Sequence, residues 1–147
     1  MQPIPQNIAD FFRSNHVVSI AAAGEGRPWC ACCFYVFDEA RATLIVLTSR
    51  NSRHGALMLD NPQVAGTVAG QPQGFAQISG IQLSARAECL TDKEQRAAAL
   101  SRYTAVHPLA KAMALKTDVW LLFLENVKFT DNKLVFAQKT HWQREEG

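Results

Sequence analysis

From Trp29 to Phe37 the chain runs without a charged residue. Both alternating sets are apolar: Trp29, Ala31, Cys33, Tyr35 and Phe37 on one side, Cys30, Cys32, Phe34 and Val36 on the other. Side chains alternate across a strand, so neither face of this one is suited to water. It must be covered on both sides. A barrel wall with a helix or a second subunit outside it meets that demand.

The surrounding sequence supplies the other walls. Ile8, Phe11 and Phe12 recur at helical spacing and predict a short amphipathic helix over 5–14, with Pro5 in its first turn. Val17 to Ala23 reads as a strand turned by Gly24-Glu25-Gly26. Thr43 to Thr48 and Val64 to Ala69 read as strands, and a helix carrying Leu57 and Met58 lies between them. Asn61-Pro62 stops that helix. Phe75 to Leu90 is a long strand with a bend expected near Gly80. Within it Ile81, Leu83, Ala85, Ala87 and Cys89 alternate with Gln82, Ser84, Arg86 and Glu88, the pattern of a half-exposed antiparallel strand. Thr91-Asp92-Lys93-Glu94 reads as a capping box for a helix to about Val106, broken by His107-Pro108. Leu109 to Leu115 can add a turn or two. Val119 to Thr130 is a strong strand, Asp131-Asn132 a two-residue hairpin turn, and Lys133 to Gln138 the last strand. Residues 139–147 read as a polar tail containing Trp142.

The connections between strands are short, which favours antiparallel neighbours. The expectation is a mainly β (α+β) chain: an antiparallel barrel of about seven strands with three or four peripheral helices. At 147 residues, 48% hydrophobic and 19% charged, the chain is one ordinary domain with a real core. The net charge of +2 is spread along the chain and gives no footprint for nucleic acid. The Met1-Gln2-Pro3-Ile4-Pro5 start lacks a signal-peptide pattern, and no run reaches membrane-spanning length. A cytoplasmic protein that touches neither membrane nor nucleic acid is expected.

Of the four cysteines, Cys30, Cys32 and Cys33 crowd the apolar strand, and Cys89 stands apart. A thiol or metal site would use them, but zinc sites show paired Cys-x-x-Cys or Cys/His spacing, which is missing here. Small buried hydrophobes in a reducing compartment are the simpler reading, and no metal is expected.

The densest polar cluster is Thr48-Ser49-Arg50-Asn51-Ser52-Arg53-His54, between a strand and a helix. A helix start favours anions. Hydroxyls on Thr48, Ser49 and Ser52 add donors, and Arg50 and Arg53 add charge. The cluster is a candidate phosphate clamp. It is equally a solvated loop with Ser52 as a helix cap. No serine sits in a nucleophile elbow and no glycine-rich phosphate loop is present, so no residue is assigned a catalytic role.

Thr48-x-x-x-Ser52-Arg53-His54, followed by Asn61-Pro62, resembles the phosphate-binding segment of the pyridoxamine 5′-phosphate oxidase-like proteins. Trp29-Cys30-Ala31, Val64-Ala65-Gly66-Thr67-Val68, Gly70-Gln71-Pro72 and Lys128-Phe129-Thr130-Asp131-Asn132 are similar to the small bacterial YhbP-like family of FMN-binding split barrels. The resemblance implies FMN in a groove between the two copies of a homodimer. Thr48, Ser49, Ser52, Arg53 and His54 would lie along its phosphate and ribityl chain, with Gln82 and Trp142 reaching it from the partner. It implies a flavoprotein, with oxidoreductase activity on a small molecule as one reading. A non-catalytic module for flavin, haem or another phosphorylated ligand is the other. His54 stands where the family has lysine, and Cys30 and Tyr35 where it has a cationic pair.

Overall fold

The structure is a computed structural model that describes residues 2–132 and 138–146. Seven antiparallel strands form one sheet: β1 (Val17–Gly24), β2 (Arg27–Asp38), β3 (Thr43–Thr48), β4 (Gln63–Ala69), β5 (Ser79–Cys89), β6 (Asp118–Asp131) and β7 (Gln138–Gln143). Their order is β3-β2-β1-β4-β5-β6-β7, and β3 also pairs with β6. That last pairing, Thr43↔Phe123 to Thr48↔Asp118, closes six strands into a barrel and leaves β7 on the free edge of β6. Closure removes the sheet edges that an open sheet would leave unpaired.

The alternation read in the sequence decides what fills the barrel. Val18, Ile20 and Ala22 of β1, Ile81, Leu83 and Ala85 of β5, and Leu122 and Leu124 of β6 are all buried in one core. Helix α1 (Gln6–Ser14) packs Phe12 on Tyr35 and Phe37, and the Tyr35 hydroxyl donates to Phe12 O at 2.6 Å. Helix α2 (Arg53–Asp60) lies against the Gly24 end of β1, where a Cβ on Gly24 would come within 2.8 Å of Leu57. Asn61 at its C-cap donates to Ala23 O at 3.2 Å. Helix α3 (Lys93–Val106) covers the outside of the barrel. Ala99 and Tyr103 join Val36, Ile45, Val119 and Leu121 in a second apolar cluster.

The two-sided β2 is therefore half covered within the chain. Val36 lies under α3, while Cys30, Cys32 and Phe34 are exposed.

Several local expectations are corrected. Phe75–Gln77 forms a 3₁₀ turn, and the irregularity in β5 falls at Ser84/Ala85, not at Gly80. Asp92, not Thr91, caps α3, accepting from Gln95 N at 2.9 Å. Asp131 is a strand residue paired with Gln138, so Asp131-Asn132 is not the expected two-residue hairpin turn. The strand expected from Lys133 lies outside the described residues as far as Ala137. The polar tail is in fact β7, through Gln143, tied to β6 by main-chain pairing and by one buried side chain, Trp142. Among the described residues no helix is long and apolar enough to cross a membrane, and no three His, Cys, Asp or Glu side chains converge as metal ligands.

Candidate functional site

Where β3 runs into α2 the polar cluster folds into a tight turn. Ser52 N donates to Ser49 O at 3.2 Å, Asn51 N to Ser49 Oγ at 3.0 Å, and Ser52 Oγ to Ser49 O at 2.6 Å. Ser52 Oγ also accepts from Gly55 N at 3.0 Å, which makes it the N-cap of α2. Gly55 is required here, because a Cβ would run into Ser49 O and Arg50 Cα. Arg50 is tied away from the turn: its Nε and Nη2 reach Asp118 Oδ1 at 3.2 and 2.8 Å, and its backbone N–H reaches Asp118 Oδ2 at 2.8 Å. These bonds hold the Asp118 carboxyl below its ordinary range.

His54 points inward from the first turn of α2. Its Nε2 lies 2.6 Å from Thr48 Oγ1 and 3.3 Å from Ser52 Oγ. Thr48 is the closer partner of Nε2, and the ring tautomer sets which of the two donates. Burial pushes the His54 pKa down, which keeps the ring neutral near pH 7. Thr48 also hydrogen-bonds the Cys33 thiol, whose pKa is raised chiefly by burial. The Thr48 carbonyl accepts from Trp120 Nε1 at 3.1 Å, which fixes the end of β3.

Thr48 and His54 form the polar end of a groove of about 580 Å³ between β2, β3 and the α3 region. Its apolar wall is built by Phe34, Leu47, Tyr103, Val106, Leu109 and Met113. His107 also lines it, with Nε2–H donated to Tyr35 O at 3.0 Å and the ring against Phe34 and Tyr103. Phe34 is 59% exposed, Leu109 95% and Met113 66%.

Of the residues singled out in the sequence, Thr48 and His54 line this groove. Ser49 and Ser52 shape the turn beside it, their side chains engaged with backbone. Arg53 does not line the groove and lays its guanidinium 3.9 Å from the centre of the Trp29 ring. Gln82 and Trp142 line a separate depression of about 440 Å³ on β5, β6 and β7. Trp142 is 5% exposed in the core and donates its Nε1–H to Gln2 O at 3.0 Å. Arg144, next to it, donates to the carbonyls of Leu124, Arg41 and Ala42. Sequence reasoning passes over Tyr103 and Met113 as groove residues and takes His107 only as a structural residue at a helix break. The only local signal for them is the His107-Pro108 helix break.

A closed antiparallel barrel with a helix-capped hydroxyl turn at its mouth is a split barrel of the pyridoxamine 5′-phosphate oxidase-like class. The family model described as "Pyridoxamine 5'-phosphate oxidase" matches residues 4–131, and the chain belongs to that family. It is 44% identical over 145 residues to a UPF0306 protein of Haemophilus ducreyi, covering 98% of each chain. It is 45% identical over 139 residues to one of Serratia proteamaculans, covering 95% of this chain and 94% of that one. Among solved structures it is similar to a heme binding protein from Mycobacterium smegmatis, with TM-score 0.76 and 17% identity over 97% of this chain and 60% of that one. It is similar to HutZ, a heme storage protein from Vibrio cholerae, with TM-score 0.72 and 16% identity over 84% of this chain and 92% of that one. A FAD-binding protein from Mesorhizobium loti aligns with TM-score 0.66 and 22% identity over 86% of this chain and 94% of that one. At these identities the structural likenesses establish the fold.

Proposed function

We propose that the chain binds a flavin, FMN in the simplest case, in the groove beside β2 and β3. The observation that carries this reading is the groove itself. Its volume of about 580 Å³ suits an organic ligand, one wall is apolar, and a hydrogen-bonded Thr48–His54 pair closes one end. The apolar wall suits a flat ring system. The first turn of α2 suits a phosphate, with Thr48 and His54 as donors and Arg53 as the nearby fixed charge. Ser52 contributes by capping the helix and Ser49 by shaping the turn. When bound, a flavin supplies electron and hydride transfer, and this chain's residues bind and orient it.

Two copies of the chain pair over the uncovered face of β2 in this reading. Cys30, Cys32 and Phe34 offer an uncharged surface there, and Phe34 belongs both to it and to the groove. Covering that face completes the groove wall. In such a pair Gln82 would face the ligand from the partner, whereas Trp142 serves as core.

A second reading is a haem carrier. Two histidines, His54 and His107, line the same groove, and two proteins of similar fold bear heme-binding or heme-storage descriptions. Titration of the purified protein with FMN and with haemin separates the two. A saturable flavin absorbance shift, weakened about tenfold or more by His54→Ala, supports the first. A Soret shift lost in His54→Ala or His107→Ala, with no flavin binding, supports the second and refutes the first.

A further inference from the structure

Beyond the phosphate end of the groove stands an aromatic ring, Trp29, that flavin mononucleotide leaves unused. Trp29 is 44% exposed, although it belongs to the inward-facing set of β2. The other two tryptophans, Trp120 and Trp142, are 1% and 5% exposed. The Arg53 guanidinium lies 3.9 Å from the centre of the Trp29 ring and covers one of its faces. A stacked guanidinium and indole offer two flat π surfaces to a third ring, while the edges of the guanidinium keep donors that grip phosphate oxygens. Side chains of nucleic-acid-binding proteins hold bases by stacking of this kind.

The placement of the pair gives it a ligand class. Arg53 and His54 are consecutive in the first turn of α2, one turned to Trp29 and the other to the groove. Trp29 and Cys33 are four residues apart on one face of β2, about 13 Å along an extended strand. Cys33 lines the groove and hydrogen-bonds Thr48. A ligand with its phosphate at the first turn of α2, between His54 and Arg53, therefore has the Trp29 platform that Arg53 carries next to it. A mononucleotide ends before this platform. A pyrophosphate-linked dinucleotide has a second phosphate that Arg53 can share with the first, and a purine for the platform.

We propose that Trp29 and Arg53 form a purine-stacking subsite, and that the groove takes a pyrophosphate-linked adenine dinucleotide, FAD among the flavins, in preference to the mononucleotide. The proposal rests on the flavin reading above for the inner half of the ligand, but the outer subsite is testable by itself. Its exposure makes Trp29 the tryptophan that a ligand can quench.

The test is equilibrium titration of the full chain with FMN, FAD and ADP, followed by tryptophan fluorescence and by flavin absorbance. FAD is expected to bind about tenfold more tightly than FMN, the scale of one stacked base, and to quench Trp29. Trp29→Ala should collapse that preference to near unity, and Trp29→Phe, which keeps a ring and the packing, should retain part of it. ADP quenching that is lost in Trp29→Ala, without any binding of FMN, supports the subsite and removes the flavin reading. FMN and FAD binding equally well, or Trp29→Ala weakening both alike, overturns the subsite and leaves the flavin reading standing. Binding of none of the three overturns both.

Discussion

His54 Nε2 lies 2.6 Å from Thr48 Oγ1, and this one hydrogen bond joins the end of β3 to the start of α2 at the mouth of the groove. A lysine in the same place would carry a permanent charge. Burial favours the neutral form of the histidine. In the proposed flavin reading, a bound phosphate would favour the cationic form instead.

A pH dependence follows. Burial holds the folded pKa of His54 below its ordinary value of 6.5. The unfolded chain then binds the proton more readily than the folded one, so stability rises with pH through the window from the folded pKa up to 6.5. Below that window the cost is fully present. Urea melts of the free protein at pH 7.5 and 5.5 should show a loss on acidification that is smaller in His54→Gln. Phosphate binding reverses the sign, because an anion favours the imidazolium, so FMN affinity should strengthen as pH falls through 6.5 and flatten in His54→Gln. A wild-type profile that matches the variant's would remove His54 from the phosphate site.

The turn is rigid because Ser52 and Gly55 interlock. Ser52→Ala removes the cap and should cost about 1 kcal/mol. Gly55→Ala should cost more, about 2–3 kcal/mol, since its Cβ meets the Ser49 carbonyl and the Arg50 Cα. Chemical denaturation measures both, and a neutral Gly55→Ala would mean that the turn is looser than described.

Thiol chemistry reports on the β2 face. Cys30 and Cys32 are exposed, Cys33 is buried, and Cys89 is partly so. Burial raises the pKa of Cys33 and Cys89, which lowers their thiolate content. A disulfide reagent should modify Cys30 and Cys32 first. If two copies pair over this face, the fast phase should slow as protein concentration rises from nanomolar to tens of micromolar. A rate independent of concentration places the pairing surface elsewhere or removes it.

The C-terminal strand is held by Arg144 as well as by its ladder. Arg144 donates to the carbonyls of Leu124, Arg41 and Ala42. Arg144→Ala should cost about 2 kcal/mol, as expected for bonds made by a charged donor. Truncation after Lys139 should cost more, because it also removes the buried Trp142. Equilibrium unfolding reads both.

The barrel was legible where alternation was strict. Ile81 to Cys89 declares its two faces, and the uncharged Trp29–Phe37 run announces a covered strand. β7 was hidden because Trp142 is its one buried residue, so no period-two pattern marks it. The polar turn between β3 and α2 was visible as composition, but its division of labour was not. Nothing in Arg50-Asn51-Ser52-Arg53 says that Arg50 is tied to Asp118, sixty-eight positions away, or that Arg53 stacks on Trp29. The apolar wall was hidden for the same reason: Phe34, Tyr103 and Met113 come together only through the packing of α3 on the barrel.

The most direct test compares FMN with riboflavin, which differ only in the phosphate. FMN is expected to bind at least about tenfold more tightly, and the difference to shrink in an Arg53→Ala, His54→Ala double variant that still melts cooperatively. Equal affinity for the two, or a difference that survives the double variant, would contradict the assignment of the phosphate end to the α2 turn.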